Sequence, residues 1–299
     1  MRRILCPVDF SETSAHALEQ AEALSRWSNA RLTVLYVYEP LFMPVPALPA
    51  PNDRVSEAEL ARARDETARF VAALAPRAAP DVIVDVDRPV SAILRHAATL
   101  RADLIVMGTH GAGGFERLML GSVAEKVVRK ATCPVLTVPP RAHATSRPPL
   151  SHLLCGVDFS EPSLAAVELA ASLAAQSGAA LDLVHVIEWP WHEPPAPHFA
   201  EIPAAQRDAL LEFRRYVVAA AQGRLELVAR DIVRDRAAAT LRVCHGTPYV
   251  EILRLAADRG VDLIVLGVHG RAAIDQALFG STTNHVVRTA ACPVLTVRR

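Results

Sequence analysis

Two stretches of this sequence carry the residue types of an anion cradle. The first is Gly108-Thr109-His110-Gly111, followed after nine residues by Gly121-Ser122; the second is Gly267-Val268-His269-Gly270, followed after nine by Gly280-Ser281. Glycine tolerates positive φ and lets a ligand come close to the backbone. A Gly-Ser pair opening a helix offers unbonded N–H groups, the positive end of the helix dipole and a hydroxyl, all suited to phosphate oxygens. One copy alone reads equally well as a turn before an ordinary helix, but recurrence of the whole spacing argues for the cradle. His110 and His269 occupy matching places inside the loops, either as phosphate donors or as residues that order the loop. Neither loop has the Gly-Lys-Ser/Thr of a P-loop. Glu116 stands where a dinucleotide fingerprint begun at Gly111 and Gly113 would need glycine, and the second copy has Arg271-Ala272-Ala273. His192, Glu193 and His198 lie in a proline-rich stretch without metal-ligand spacing and read as a solvated loop.

The elements that must position these loops also come twice. Asp9-Phe10-Ser11-Glu12 returns as Asp158-Phe159-Ser160-Glu161, Asp103-Leu104-Ile105-Val106 as Asp262-Leu263-Ile264-Val265, and Cys133-Pro134-Val135-Leu136-Thr137-Val138 from Cys292 to Val297. The order is kept, which marks a duplication. The second copy is longer by about ten residues, inserted between Trp189 and Arg236. A segment flanked by Pro139-Pro140 and Pro148-Pro149 reads as a linker, so the domains are expected at 1–140 and 150–299, joined by 141–149. Within the first copy, apolar runs predict strands at Arg3–Val8, Leu32–Tyr38, Val82–Val86, Asp103–Met107 and Val135–Val138. Helices are predicted from the Ser11 cap to Trp27, Arg54 to Leu74, Val90 to Leu100 and Gly121 to Lys130, with a long one in the second copy from Ile202 to Arg236. Strands alternating with helices imply a mainly parallel α/β sheet covered on both faces, with the ligand crevice outside the carboxyl ends of strands one and four.

The bulk of the sequence sets limits. At 299 residues the chain has room for two domains of roughly 150 residues. Lys plus Arg and Asp plus Glu number 32 each, so no overall field would gather nucleic acid or anionic lipid. No run is long and apolar enough for a membrane span, no signal-peptide core precedes the first strand, and the odd set of five cysteines without a C-x-x-C pair reads as reduced thiols. A cytoplasmic protein is expected.

These residues resemble the universal stress protein family in its tandem form: Pro7-Val8-Asp9-Phe10-Ser11 ending strand one, the G-x-x-G-x(9)-G-S loop, and the closing Cys-Pro-Val-Leu-Thr-Val strand. The resemblance implies two five-stranded parallel sheets of order 3-2-1-4-5, adenine nucleotide alpha hydrolase-like, each holding one ATP. It places Pro7, Val8, Asp9, Val157 and Asp158 near the adenosine and assigns adenine contacts to the backbones of Val37 and Val186. Met107, Gly108, His110, Gly111, Gly121, Ser122 and Val123 would hold the phosphates, as would Leu266, Gly267, His269, Gly270, Gly280, Ser281 and Thr282. A carboxylate beside a triphosphate is repelled, so Asp9 and Asp158 fit as ribose or adenine acceptors, as ligands of Mg²⁺, or as caps of the first helix. The first copy departs from the family's Gly-x-Pro after strand three, with Asp87-Arg88-Pro89 against Gly246-Thr247-Pro248, and Pro7 stands opposite Gly156. The short terminal strands Val135–Val138 and Val294–Val297 would meet in an internal pseudo-dimer, with a homodimer of chains left open. Three functions follow: a nucleotide-dependent stress regulator or sensor, a slow Mg²⁺-dependent ATPase, or an interaction module without nucleotide. Motifs of adenylylating enzymes are absent and no base–nucleophile pair recurs in both halves, so hydrolysis would rest on Mg²⁺ and Asp9 or Asp158.

Overall fold

The short β-branched and leucine-rich runs do form strands, and the central ones are buried on both faces while the outer runs Asp81–Val86 and Ala239–His245 stay partly exposed. A computed structural model of the chain describes residues 1–39, 55–109, 120–140, 147–188, 203–268 and 280–298. It divides into two units, Met1–Pro148 with Val287–Arg299, and Pro149–Val286.

The first unit contains β1 (Arg3–Val8), α1 (Glu12–Ser28), β2 (Arg31–Tyr38), α2 (Glu57–Leu74), β3 (Asp81–Val86), α3 (Pro89–Leu100), β4 (Leu104–Gly108), α4 (Ser122–Lys130) and β5 (Val135–Val138). Its parallel strands run β3-β2-β1-β4-β5, the order expected. The chain reverses direction across the sheet between β1 and β4, where Ile4 pairs Leu104 and Leu5 pairs Ile105. That reversal opens a crevice at the carboxyl ends of the strands. Ile4, Leu5, Leu18, Leu32, Leu35 and Ile105 are fully buried at the centre. Each such side chain contributes about 1.5–3 kcal/mol relative to exposure.

The second unit repeats the plan with β6 (His152–Gly156), α5 (Glu161–Ser177), β7 (Ala180–Ile187), α6 (Ala204–Val228), β8 (Ala239–His245), α7 (Pro248–Asp258) and β9 (Leu263–Gly267), its strands ordered β8-β7-β6-β9. Helix α8 (Ser281–Thr289) follows, and the last strand, β10 (Val294–Val297), clusters with the first unit. There it pairs antiparallel with β5 in a self-symmetric register, Val294 with Thr137, Leu295 with Leu136 and Thr296 with Val135. The two threonine hydroxyls donate reciprocally, Thr137 to the Val294 carbonyl at 3.1 Å and Thr296 to the Val135 carbonyl at 3.0 Å.

Local chemistry sets the helix ends. Ser11 and Ser160 accept from the N–H of Ser14 and Ser163, and Asn29 and Gly178 end the same helices in the left-handed region. Ser56 and Glu59 form a capping box on α2. Pro89 and Pro248 open α3 and α7 at a position where the missing N–H costs nothing. Gly246, at φ +134°, takes a backbone geometry that only glycine adopts easily. The first copy makes the corresponding turn with Asp87, whose Oδ1 accepts from the Arg88 N–H, while Arg95 bridges Asp85 and Asp87.

One predicted element differs. The helix expected from Ile202 to Arg236 is regular only to Val228, then passes through a π turn (Ala229–Val233) and a 3₁₀ turn (Arg234–Arg236). The wider turn seats Val233, 1% exposed, against α5, a choice that helical periodicity alone could not show.

Candidate functional site

A cleft of about 780 Å³ opens at the carboxyl ends of β6, β7 and β9 in the second unit. That is within the usual range for small-molecule sites. Its lining includes Val157, Asp158, Val186, Leu266, Gly267, Gly280, Ser281 and Thr282, eight residues singled out from sequence and drawn from four separate stretches. His269 and Gly270 lie outside the described residues.

Each side of the cleft has a local cause. The turn after β6 is pinned by Asp158, whose Oδ1 accepts from the Ser160 N–H at 2.9 Å and its hydroxyl at 2.5 Å. Asp158 thus orients the cap, while Ser160 is the cap itself. The serine caps the helix, as expected at Ser11, and the aspartate's alternative capping role is exercised only through that serine. The same turn puts Phe159 at φ +64°, an uncommon geometry for a bulky residue. Its ring packs 4.6 Å from the His185 ring, and His185 Nδ1 lies 2.7 Å from the Val157 carbonyl.

The β6–β7 ladder ends at Gly156 and Val184, yet β7 runs on to Ile187 against β8. The backbone of Val186 is therefore carried beyond the end of β6 along the cleft wall. On the far side, the loop between β9 and α8 is closed at its base by the Gly280 N–H donating to the Val268 carbonyl at 3.1 Å. Thr283 ties the first turn of α8 to the Gly267 carbonyl at 2.8 Å. The N-terminus of α8 consequently faces the crevice with Gly280, Ser281 and Thr282 on its lining.

The reason for the strand-end glycines differs from the one expected. Gly108 and Gly267 do not have positive φ. A Cβ on Gly108 would lie 2.9 Å from the Thr13 backbone, and one on Gly267 would lie 2.8 Å from the Ser163 nitrogen. These glycines let the start of α1 or α5 press onto the strand end; Gly267 lines the cleft as well.

In the first unit the corresponding residues keep their places. Pro7 and Val8 end β1, and Asp9 Oδ1 accepts from the Ser11 N–H and hydroxyl at 3.1 and 2.5 Å. Val37 lies on β2 past the β1 ladder, which stops at Val8 and Tyr36. Met107 and Gly108 end β4, the Gly121 N–H donates to the Thr109 carbonyl at 2.7 Å, and Ser122 and Val123 open α4. No side chain caps that helix, so its first N–H groups are left to other acceptors. His110 and Gly111 are outside the described residues, as are His192, Glu193 and His198. Phe10, at φ +63°, stacks on Tyr36 at 4.5 Å and meets the edge of Phe70 at 5.3 Å.

Sequence reasoning missed Phe159, His185, Tyr216 and Arg224, all on the cleft lining. The repeated Asp-Phe-Ser-Glu motif could have flagged Phe159. Tyr216 and Arg224 come from α6, in the stretch where the two copies lose register, so recurrence held no signal for them. No cluster of three or more His, Cys, Asp or Glu fit to hold a metal occurs among the described residues. Among the described residues no helix is long and apolar enough to cross a membrane.

Comparison with known proteins follows the same duplication. The sequence profile of the Universal stress protein family matches residues 1–139 and again 149–298. A universal stress protein of Thermus aquaticus is 39% identical over 140 residues, covering 46% of this chain and 98% of that protein. One of Mycolicibacterium smegmatis is 28% identical over 307 residues, covering 99% of this chain and 96% of its own. In fold, the crystal structure of a universal stress protein from Archaeoglobus fulgidus matches with a TM-score of 0.67 and 22% identity, over 99% of this chain and 98% of that one.

Proposed function

The chain belongs to the universal stress protein family as a tandem pair of its domains, and on that premise we propose that it is an ATP-binding, nucleotide-dependent regulator. The observation that carries this reading is the second unit's cleft, where Asp158, the Val186 backbone and the tip of α8 converge on one space. The α8 amides and the Ser281 hydroxyl donate to phosphate oxygens, with the helix dipole favouring negative charge there. Asp158 accepts from ribose hydroxyls, and the Val186 backbone reads the adenine edge. Asp158, and Asp9 in the first unit, would help to hold a Mg²⁺ brought with the phosphates, which would neutralise part of their charge. In the first unit Gly108, Gly121, Ser122 and Val123 form the corresponding cradle.

The same reading keeps the domains at 1–140 and 150–299, with 141–149 as linker, and joins them as an internal pseudo-dimer through their terminal strands. The self-symmetric register of β5 and β10 supports that arrangement, since an isologous contact pairs each residue with its counterpart's equivalent. Five free cysteines fit a cytoplasmic setting.

Calorimetric titration of the intact chain with ATP and Mg²⁺ tests the proposal. Saturable binding is expected, and Gly280→Val should abolish the second unit's share without moving the urea midpoint. An unchanged titration in that variant would overturn the site. Multiple-turnover phosphate release would convert the regulator reading to an ATPase.

A further inference from the structure

The second unit's cleft has an electrostatic problem that its helix tip alone does not solve. Asp158 and Glu188 both line it, and a phosphate chain would add further negative charge. Unit charges about 4 Å apart repel by about 1–4 kcal/mol at the dielectric of a protein surface, and a helix N-terminus offers only about half a positive charge. Among the described lining residues, Arg224 is the only lysine or arginine.

Arg224 is not an idle surface cation. Its Cζ lies 3.8 Å from the centroid of the Phe159 ring, which holds the guanidinium by cation–π contact. The Phe159 ring is itself fixed, by its left-handed backbone and by the His185 ring behind it. Stacking engages the face of a guanidinium and leaves its N–H donors, which lie in the plane, available at the edge. Among the described residues Arg224 makes no hydrogen bond or ion pair. Tyr216, Ala220 and Arg224 all line the cleft at successive four-residue steps along α6, so one face of that helix forms this wall. In the first unit Phe70 of α2 makes the equivalent approach to Phe10. Aromatic there, cationic here: the two units differ in charge at this one place.

We propose that Arg224 is the residue by which the second unit's cleft selects phosphate-bearing ligands, donating from its stacked guanidinium to a phosphate oxygen. The inference rests on the nucleotide reading of the cleft and adds the residue that discriminates within it. Phe159 acts as a positioning residue, setting the guanidinium plane.

The test uses the full chain carrying Gly121→Val, so that the second cleft dominates, titrated calorimetrically with ATP, AMP and adenosine, with and without Mg²⁺. Arg224→Met keeps the aliphatic stem over the ring and removes the charge; Arg224→Lys keeps the charge and loses the planar fork. Arg224→Met should weaken ATP roughly tenfold to a hundredfold, the size of a lost charge-assisted hydrogen bond. It should leave adenosine within about twofold and the urea midpoint unchanged. Arg224→Lys should recover part of the ATP affinity. Equal losses for ATP and adenosine would overturn the proposal, making Arg224 a wall for the nucleoside, and so would an unaltered ATP affinity. If the parent chain binds none of the three, the nucleotide reading falls with it. If the parent binds ATP and Arg224→Met does so equally, only the role of Arg224 falls.

Discussion

Gly267 does two things at the residue scale, and the first is packing. Its missing Cβ is what allows the start of α5 to approach β9, with the Ser163 nitrogen 2.8 Å and the Pro162 carbonyl carbon 2.9 Å from where that atom would be. Backbone cannot swing aside as a side-chain end can. Gly267→Ala is therefore expected to cost about 1–3 kcal/mol, as overpacking does, read as a lower urea midpoint in the absence of ligand. An unchanged midpoint would show that the strand end yields. The aspartates after β1 and β6 also gain a physical account. Each spends one carboxylate oxygen on the cap serine, which fixes the turn and aims the rest of the group.

At the scale of elements, the turn between β3 and α3 shows how the two copies solve one problem differently. The second copy uses Gly246 in a left-handed geometry; the first uses a charged clamp. Burial pushes the Asp85 carboxyl up. Hydrogen bonds from His96 and Arg95 and from the Val86 N–H more than offset this and hold it below the ordinary carboxylate range. A carboxyl whose folded pKa is depressed stabilises the protein above its unfolded pKa, about 3.9 for Asp. That contribution is lost as pH falls through the folded value. Asp85→Asn should thus lower stability at pH 7 by up to about 1 kcal/mol, the scale of a partly exposed ion pair, and the gap should narrow between pH 7 and about pH 3 as the carboxyl begins to protonate. Urea midpoints of both proteins at the two pH values decide it; a gap just as wide in acid would assign the effect to shape and not to charge.

For the whole molecule, the decisive feature is that β10 completes the first unit's sheet. Without it, β5 would present a row of unpaired backbone groups, an edge that invites pairing with another chain. A chain truncated after Ala291 is expected to elute as larger species by light-scattering chromatography than the full chain at equal concentration. It should also lose the reciprocal threonine hydrogen bonds that close the β5–β10 pair. Identical elution of the two would mean that β5 is protected by something other than β10.

The amino-acid sequence by itself determined the duplication, the alternation of strands and helices and the Ser11 cap, while the strand order and eight residues that line the second unit's cleft were what its resemblance to a known family implied. The duplication, the alternation and the cap are written in local spacing, which any βα repeat of this pattern must show. The tertiary structure decided what depends on contacts between distant parts of the chain. It showed that Gly108 and Gly267 serve helix docking, and that the long second-copy helix ends in a π turn to bury Val233. It also showed that β10 joins the first unit and that Arg224 comes to rest on Phe159. No local pattern records such meetings, because the free energy that selects them is shared among residues that are neighbours only after folding.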